Sequence, residues 1–533
     1  MTLNRIYIPL LLVLSLIALK PPEFIKAFEL KLYDLMVYYS APNVADPRIV
    51  IVGIDERSLD DFGRWPWPRN VIGQLIDKLG KFGTKVTALD ITFTTEADKM
   101  TASVVDKIGA LLEKSGIPPR YPEMFREFEK IREDISRDKS LEASMKSANN
   151  VVTGFLFHKN EGFSEKVRER KREQMRPYRI KLVRRTADTK DLSIEAGFTS
   201  VEPNIPIIQK ASAATGFLNV PAERDGIFRA YPMVIEHKGD FYPSLALAAA
   251  MLYEDTLNST QVYFGQGLFL GVILGDRVVH TDEQGIVNLR YLGPDGTFPV
   301  VSASDVIKLP VTDKRLREAL SGKIALIGAT ATQAKDLRAT PFGYTAGINV
   351  QANAVVAALN DLSISKHRWQ RVYDALLTIV IGAVLLFILR KVSVYAGLGL
   401  TVLLFACLAY FNYHMFSFYN VWLNSVIPSM TIAIGFVTVT VYQYVAEQKS
   451  KRFIKNTFGH YLSPKVVNQI IENPGLLRLG GENRVMTAFF SDVAGFTTIS
   501  ETLEPSELVS LLNEYLSAMT DIIIELDGTV DKY

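Results

Sequence analysis

Arg48-Ile49-Val50-Ile51-Val52-Gly53-Ile54-Asp55-Glu56 is a run of β-branched residues that ends in two acids. Its side chains stay apolar without alternating, the pattern of a strand buried on both faces. Gly63-Arg64-Trp65-Pro66-Trp67-Pro68-Arg69 follows as a rigid aromatic turn; Val71 to Leu79 then has the period of an amphipathic helix, and Lys85 to Ile91 is a second buried strand. Strand, helix, strand in that order is a crossover unit and predicts an α/β sheet. Far downstream, Gly322-Lys323-Ile324-Ala325-Leu326-Ile327-Gly328-Ala329 repeats the buried-strand pattern, so both ends of the mixed, globular region 24–365 are expected in one sheet.

Asp55, Asp90, Asp336 and Thr340 stand at or near strand ends. Open α/β sheets bind ligands at their carboxyl edge, where these four are placed to line a pocket. Capping of loops and helices is the commoner task for such residues, and nothing in their spacing is diagnostic. The same region carries Ile51-Val52-Gly53-Ile54-Asp55-Glu56, Ala88-Leu89-Asp90-Ile91, Asp225-Gly226-Ile227-Phe228-Arg229, Tyr242-Pro243-Ser244-Leu245-Ala246, Gly328-Ala329-Thr330 to Asp336, Thr340-Pro341-Phe342 and Gly347. With these motifs it resembles the type-two CHASE extracellular sensor domain. The resemblance implies a domain outside the membrane ahead of a cyclase or kinase, responding to a signal it does not name. Residues 112–190 read as a long insertion of polar helices, and 166–185 hold ten basic residues against two acidic. Outside a membrane, such a tract is expected as a solvated helix or a lipid-headgroup contact, not as a nucleic-acid site.

Three apolar runs follow Arg371: Ala375 to Leu389, Val392 to Tyr413 and Val421 to Val445. Each is of spanning length once Val372 to Asp374 join the first, and Pro428 is expected to kink the third. Ile6 to Leu19, preceded by Arg5 and followed by Lys20-Pro21-Pro22 with no cleavage site, reads as an uncleaved signal anchor within 1–23. Four spans return the C-terminus to the side of the N-terminus. Arg390-Lys391 and Lys449, Lys451, Arg452 and Lys455 would face the cytoplasm, and the sensor the periplasm, in an inner or plasma membrane.

Near the C-terminus, Val485 to Phe490 is a short apolar run that delivers Asp492 at its end, and Gly495 turns the chain towards a helix-like segment. Such a turn is able to set a metal-holding carboxylate beside backbone N–H groups that face phosphate, although an Asp merely capping a turn fits these residues equally. Leu479-Gly480-Gly481-Glu482-Asn483-Arg484, Phe490-Ser491-Asp492-Val493-Ala494-Gly495-Phe496-Thr497, Ser500-Glu501, Leu511-Leu512-Asn513-Glu514-Tyr515 and Gly528-Thr529-Val530-Asp531-Lys532-Tyr533 come in sequence. With them the segment resembles the start of the class III adenylate/guanylate cyclase catalytic domain, an α+β fold. The resemblance implies that Asp492 and the Val493 carbonyl hold Mg²⁺ or Mn²⁺ and that backbone at Gly495, Phe496 and Thr497 supports phosphate. It implies that Lys532 reads the purine: an ammonium donates to adenine N1, whereas guanine N1 wants a carboxylate, so ATP is favoured over GTP. It also implies a homodimer, because each site in the family draws on two subunits. The family's second metal-binding aspartate and its transition-state Asn/Arg pair would lie past Tyr533, so this chain as it stands is expected to be inactive, cut within the catalytic domain of a complete enzyme. Pro505 is placed to start a helix with an apolar stripe from Leu508 to Leu526, and Asp527-Gly528 to turn into a strand bearing Lys532.

Composition agrees with this plan. Among 533 residues, 48% are hydrophobic, high for a purely soluble protein, and membrane segments account for the excess. A net charge of +2 is too small to argue for nucleic acid, and Cys407 as sole cysteine excludes an intrachain disulfide. No HExxH or CxxC pattern points to zinc. The expected layout is an anchor at 1–23, a sensor at 24–365, three membrane helices at 366–446, a linker at 447–480 and a cyclase start at 481–533. Rival readings are a guanylate cyclase, opposed by Lys532, and a non-catalytic receptor with a cyclase-like interaction domain. A histidine kinase is disfavoured, since no kinase-like nucleotide motif follows the linker.

Overall fold

A computed structural model describes residues 3–96, 137–159, 162–331, 336–366, 369–458 and 485–533, with scattered positions between 107 and 128 and Val467. Most of the expected linker beyond Phe458 lies outside the described residues. The chain divides into two compact units, one of Ile17–Ala375 with Phe405–Pro428, the other of Met1–Leu16, Leu376–Leu404 and Ser429–Tyr533.

The first unit is built on a mixed α/β sheet. Val300–Ser302, Ile49–Ile54, Ile324–Ala329, Val86–Leu89 and Val151–His158 lie side by side in that order, all parallel. Ala214–Phe217 adds a parallel partner to Val151–His158, and Ser200–Glu202 pairs antiparallel with its far end. Ile51 stands opposite Val300 on one side and Leu326 on the other, so the two distant apolar runs do meet at the centre of one sheet. All six residues of Ile49–Ile54 are buried, and they alternate between two cores. Ile49 and Ile51 join the core that holds helices Leu245–Tyr253 and Gly347–Asn360. Val50, Val52 and Ile54 join the core of Ile72, Leu75, Ile76 and Leu79, on helix Arg69–Phe82, with Leu141 and Met145 on helix Arg137–Ala148. At roughly 1.5–3 kcal/mol for each buried Val, Leu or Ile, these two cores hold the unit together.

One expectation is corrected here. The tract 112–190 is not simply an insertion of polar helices, because Val151–His158 is a main-sheet strand and Arg137–Ala148 packs against Arg69–Phe82. Polar neighbours on both flanks hide this strand in the composition of the tract. The basic stretch begins as helix Glu165–Met175, where Arg168, Arg172 and Arg176 each pair with a glutamate three residues earlier.

Helix Glu23–Ser40 is pinned to this unit by a buried cation. Arg229, 1% exposed, donates to Asp34 of that helix at 2.6 and 2.8 Å, to Glu223 at 2.8 Å and to Asp225 at 2.7 Å. Tyr33 donates from its hydroxyl to the Leu289 carbonyl at 3.2 Å. On the same helix, the Glu29 carboxylate accepts the backbone N–H groups of Ser425 and Val426, at 2.9 and 2.7 Å. These are orphan amides at the start of helix Val426–Phe458.

Among the described residues, three helices are long and apolar enough to cross a membrane: Gln370–Leu389, Val394–Tyr419 and Val426–Lys455. Leu3–Leu19 and Glu23–Ser40 meet at a 70° bend and add a fourth span if the pair counts as one. Pro428, expected to kink its helix, falls in the first turn after Val426, where a missing N–H costs nothing. Within the second unit, the Tyr7 hydroxyl donates to the Gly382 carbonyl at 3.0 Å.

Candidate functional site

The carboxyl edge of the main sheet opens into a cavity of about 430 Å³. Val86–Leu89 ends there and presents Asp90 to it. Asp336 immediately precedes strand Leu337–Thr340, Arg338 lies within it, and Gln351 comes from helix Gly347–Asn360. Leu156, Leu218, Val220, Phe228 and Val350 supply apolar wall. Asp336 pairs with Arg338 at 2.9 Å, and that guanidinium lies 5.0 Å over the Phe228 ring. A Cβ on Gly347 would collide with the Asp336 carboxylate, so only glycine lets the helix start this close to it. Gln351 donates to Asp90 across a long 3.5 Å and accepts the Tyr231 hydroxyl at 2.5 Å. Burial, then the nearby Asp336 charge, pushes the Asp90 carboxyl up to about 7.

The four strand-end residues therefore divide. Asp55 is a cap: it accepts the Ser58 N–H at 2.9 Å as N-cap of helix Glu56–Phe62, and Ser302 donates to it at 2.9 Å. Thr340 also serves the backbone, donating to the Gly343 carbonyl at 2.9 Å. Asp90 and Asp336, by contrast, share the cavity. Arg338 and Gln351 escape a reading of strand ends, although one signal for Gln351 was visible. Asn349, Gln351 and Asn353 interrupt an otherwise apolar run at every second position, which is not the 3.6-residue period of a helix face.

At the C-terminal motif the structure departs from the expected strand. Val485–Phe490 forms no strand and pairs with none among the described residues, and Val485 and Phe490 are exposed. Lys532 likewise follows a turn at Asp527 but lies on no strand. An extended run becomes a strand only against hydrogen-bonded neighbours, and none of the described strands supplies one. The local turn does form. Gly495 takes the left-handed conformation, φ 73°, ahead of helix Phe496–Thr502, and the Phe496 N–H donates to the Val493 carbonyl at 3.2 Å. Asp492 is exposed beside this turn, and Gly495, Phe496 and Thr497 occupy the turn and the helix start. Helix Pro505–Glu525 forms with Pro505 in its first turn and a Glu504–Glu507 capping box. No sheet lies under its stripe among the described residues, and Leu511, Ile522 and Leu526 are exposed.

These residues do not by themselves complete a Mg²⁺ or Mn²⁺ site. Asp492 and the Val493 carbonyl offer two oxygens, and no group of three or more His, Cys, Asp or Glu is assembled among the described residues. Mg²⁺ takes about six oxygens.

Comparison with known proteins adds two findings. A family model described as the CHASE2 domain matches residues 9–389. Adenylate cyclase from Anabaena cylindrica is 39% identical over 84 residues, 16% of this chain and 15% of that protein. Adenylate cyclase 1 from Rhizobium meliloti (strain 1021) is 32% identical over 77 residues, 14% of this chain and 12% of that protein. The chain thus covers less than a sixth of the length of either relative. No solved structure matches it.

Proposed function

The chain belongs to the CHASE2 domain family, and from that premise we propose that it is the sensing and membrane part of an adenylate cyclase that converts an external signal into cyclic AMP. One observation carries the reading: a single chain joins a CHASE2 domain, apolar helices of spanning length and a stretch similar to proteins named adenylate cyclase. Matches of 84 and 77 residues are of a length to fit the part after residue 446, which holds Asp492 and Lys532.

In this proposal the sensor lies outside an inner or plasma membrane, with residues from 447 onward in the cytoplasm. The ATP 3′-oxygen bonds to the α-phosphorus, the bond from that phosphorus to the pyrophosphate oxygen breaks, and the hydroxyl proton passes to solvent. Asp492 with the Val493 carbonyl contributes part of a Mg²⁺ or Mn²⁺ site, whose ion would offset phosphate charge. Backbone at Gly495, Phe496 and Thr497 receives phosphate, and the Lys532 ammonium donates to adenine N1, favouring ATP over GTP. Two copies would pair to assemble each site, so an external signal acts by shifting how they meet.

The test is cyclic nucleotide formation from ATP and GTP with Mn²⁺, in membranes holding this chain continued through a whole class III domain. Cyclic AMP that disappears with Asp492→Ala supports the reading. No cyclic nucleotide from either substrate overturns it in favour of a non-catalytic receptor.

A further inference from the structure

We propose that the cavity at the carboxyl edge of the main sheet is the ligand site of the sensor and takes a small organic cation, an ammonium group carried on an apolar body, with Asp90 receiving the charge. The cavity, at about 430 Å³, falls in the range of small-molecule pockets, and its wall divides into an acidic end and an apolar end. Its charges are unevenly satisfied. Asp336 has Arg338 at 2.9 Å, whereas Asp90 has the 3.5 Å contact from the Gln351 amide, forms no ion pair among the described residues, and feels the Arg338 charge only at longer range.

A half-buried carboxylate without a partner is costly, and strand-end aspartates in this fold have a ready alternative. Asp55 ends the neighbouring strand and spends its oxygens on a helix cap. Among the described residues the Asp90 carboxylate takes no backbone N–H, and it lines the cavity. An anionic ligand would have to take Arg338 from Asp336 and approach two carboxylates. A metal ion would find two carboxylates and no third His, Cys, Asp or Glu grouped with them among the described residues, beside a hydrocarbon wall it does not need. An ammonium group supplies what is missing at one end, and its carbon skeleton covers Leu218 and Phe228 at the other.

The groups facing Asp90 are Asp336 and Arg338 from one segment and, through Gln351, the Tyr231 hydroxyl. With its carboxyl pushed up to about 7, Asp90 is partly protonated near neutrality, and a proton competes with the cation. Affinity therefore rises with pH up to that value and levels off above it, falling roughly tenfold for each unit of acidification below it.

The proposal rests on the sensor role given above, but its test reads binding without turnover, so it can fail while the cyclase reading stands, and the reverse. Phenethylamine is titrated calorimetrically into the purified full chain in detergent, against phenethyl alcohol and phenylacetate as neutral and anionic matches. Saturable binding of the amine alone is expected, weakening as pH falls from about 8 to about 6, and at least roughly tenfold weaker in Asp90→Asn at the higher pH. Equal binding of the alcohol, preference for phenylacetate, an affinity flat with pH or absence of saturable amine binding would each overturn it. The pH profile of the unaltered chain decides the matter even if Asp90→Asn misfolds.

Discussion

Arg229→Met tests the energetics of the sensor most sharply. The guanidinium is 1% exposed and faces Asp34, Glu223 and Asp225, each at 2.6–2.8 Å, so methionine fills the volume and leaves three part-buried carboxylates without their hydrogen-bonded cation. Breaking a buried ion pair from one side costs about 3–5 kcal/mol, against a total stability of roughly 5–15 kcal/mol. The cost depends on pH. Asp225 is held below the usual carboxylate range by its hydrogen bond from Arg229, so it adds stability above its unfolded pKa and loses it as pH falls through the folded one. Burial already pushes Glu223 up, and Arg229 opposes that push; without it, Glu223 destabilises the fold increasingly as pH rises above about 4. Both effects widen the gap between variant and parent from acid to neutral pH. Thermal unfolding of the detergent-purified chain, followed by near-ultraviolet circular dichroism, should show a melting point lower by about 5–10 °C near pH 7.5 and a drop less than half as large near pH 4.5. A drop below about 2 °C, or one that does not change with pH, would refute the reasoning by showing that the cluster behaves like solvated surface pairs.

Other outcomes follow from the same structure. Asp90 has a folded pKa of about 7, above its unfolded value, so it is neutral to stability in acid and destabilises as pH rises towards 7. Asp90→Asn should therefore melt above the parent near pH 8, by about 1–3 kcal/mol, and with it near pH 4, as paired thermal scans would reveal. Ile51→Ala removes a fully buried side chain from the core on one face of the sheet and should cost about 2–5 kcal/mol by denaturant unfolding. In a protein with a whole catalytic domain, Lys532→Glu should lower the ratio of cyclic AMP to cyclic GMP formed, measured from equal ATP and GTP; an unchanged ratio removes Lys532 from purine reading.

The central sheet was legible because Ile49–Ile54 and Ile324–Ala329 are buried on both faces, a demand that leaves little but apolar, β-branched residues. Val151–His158 obeys the same demand but was masked by a polar tract around it, and a window that averages over such neighbours loses an eight-residue strand. The site was legible by half. Strand ends point to Asp90 and Asp336, yet only tertiary contact separates them from Asp55 and Thr340, whose partners sit on segments as distant as Ser302. Val485–Phe490 shows the converse limit: its residues suit a strand, and the pairing that makes a strand is a property of neighbours, not of the run itself.

The Glu29 bonds at Ser425 and Val426 are not the only ties at the start of helix Val426–Phe458, since Asn424 also donates to Asp374 and Asn412 to Ser425. A carboxylate that takes two neighbouring amides of a helix start fixes the rotational setting of that end as well as its position, because either twist or withdrawal has to break those bonds.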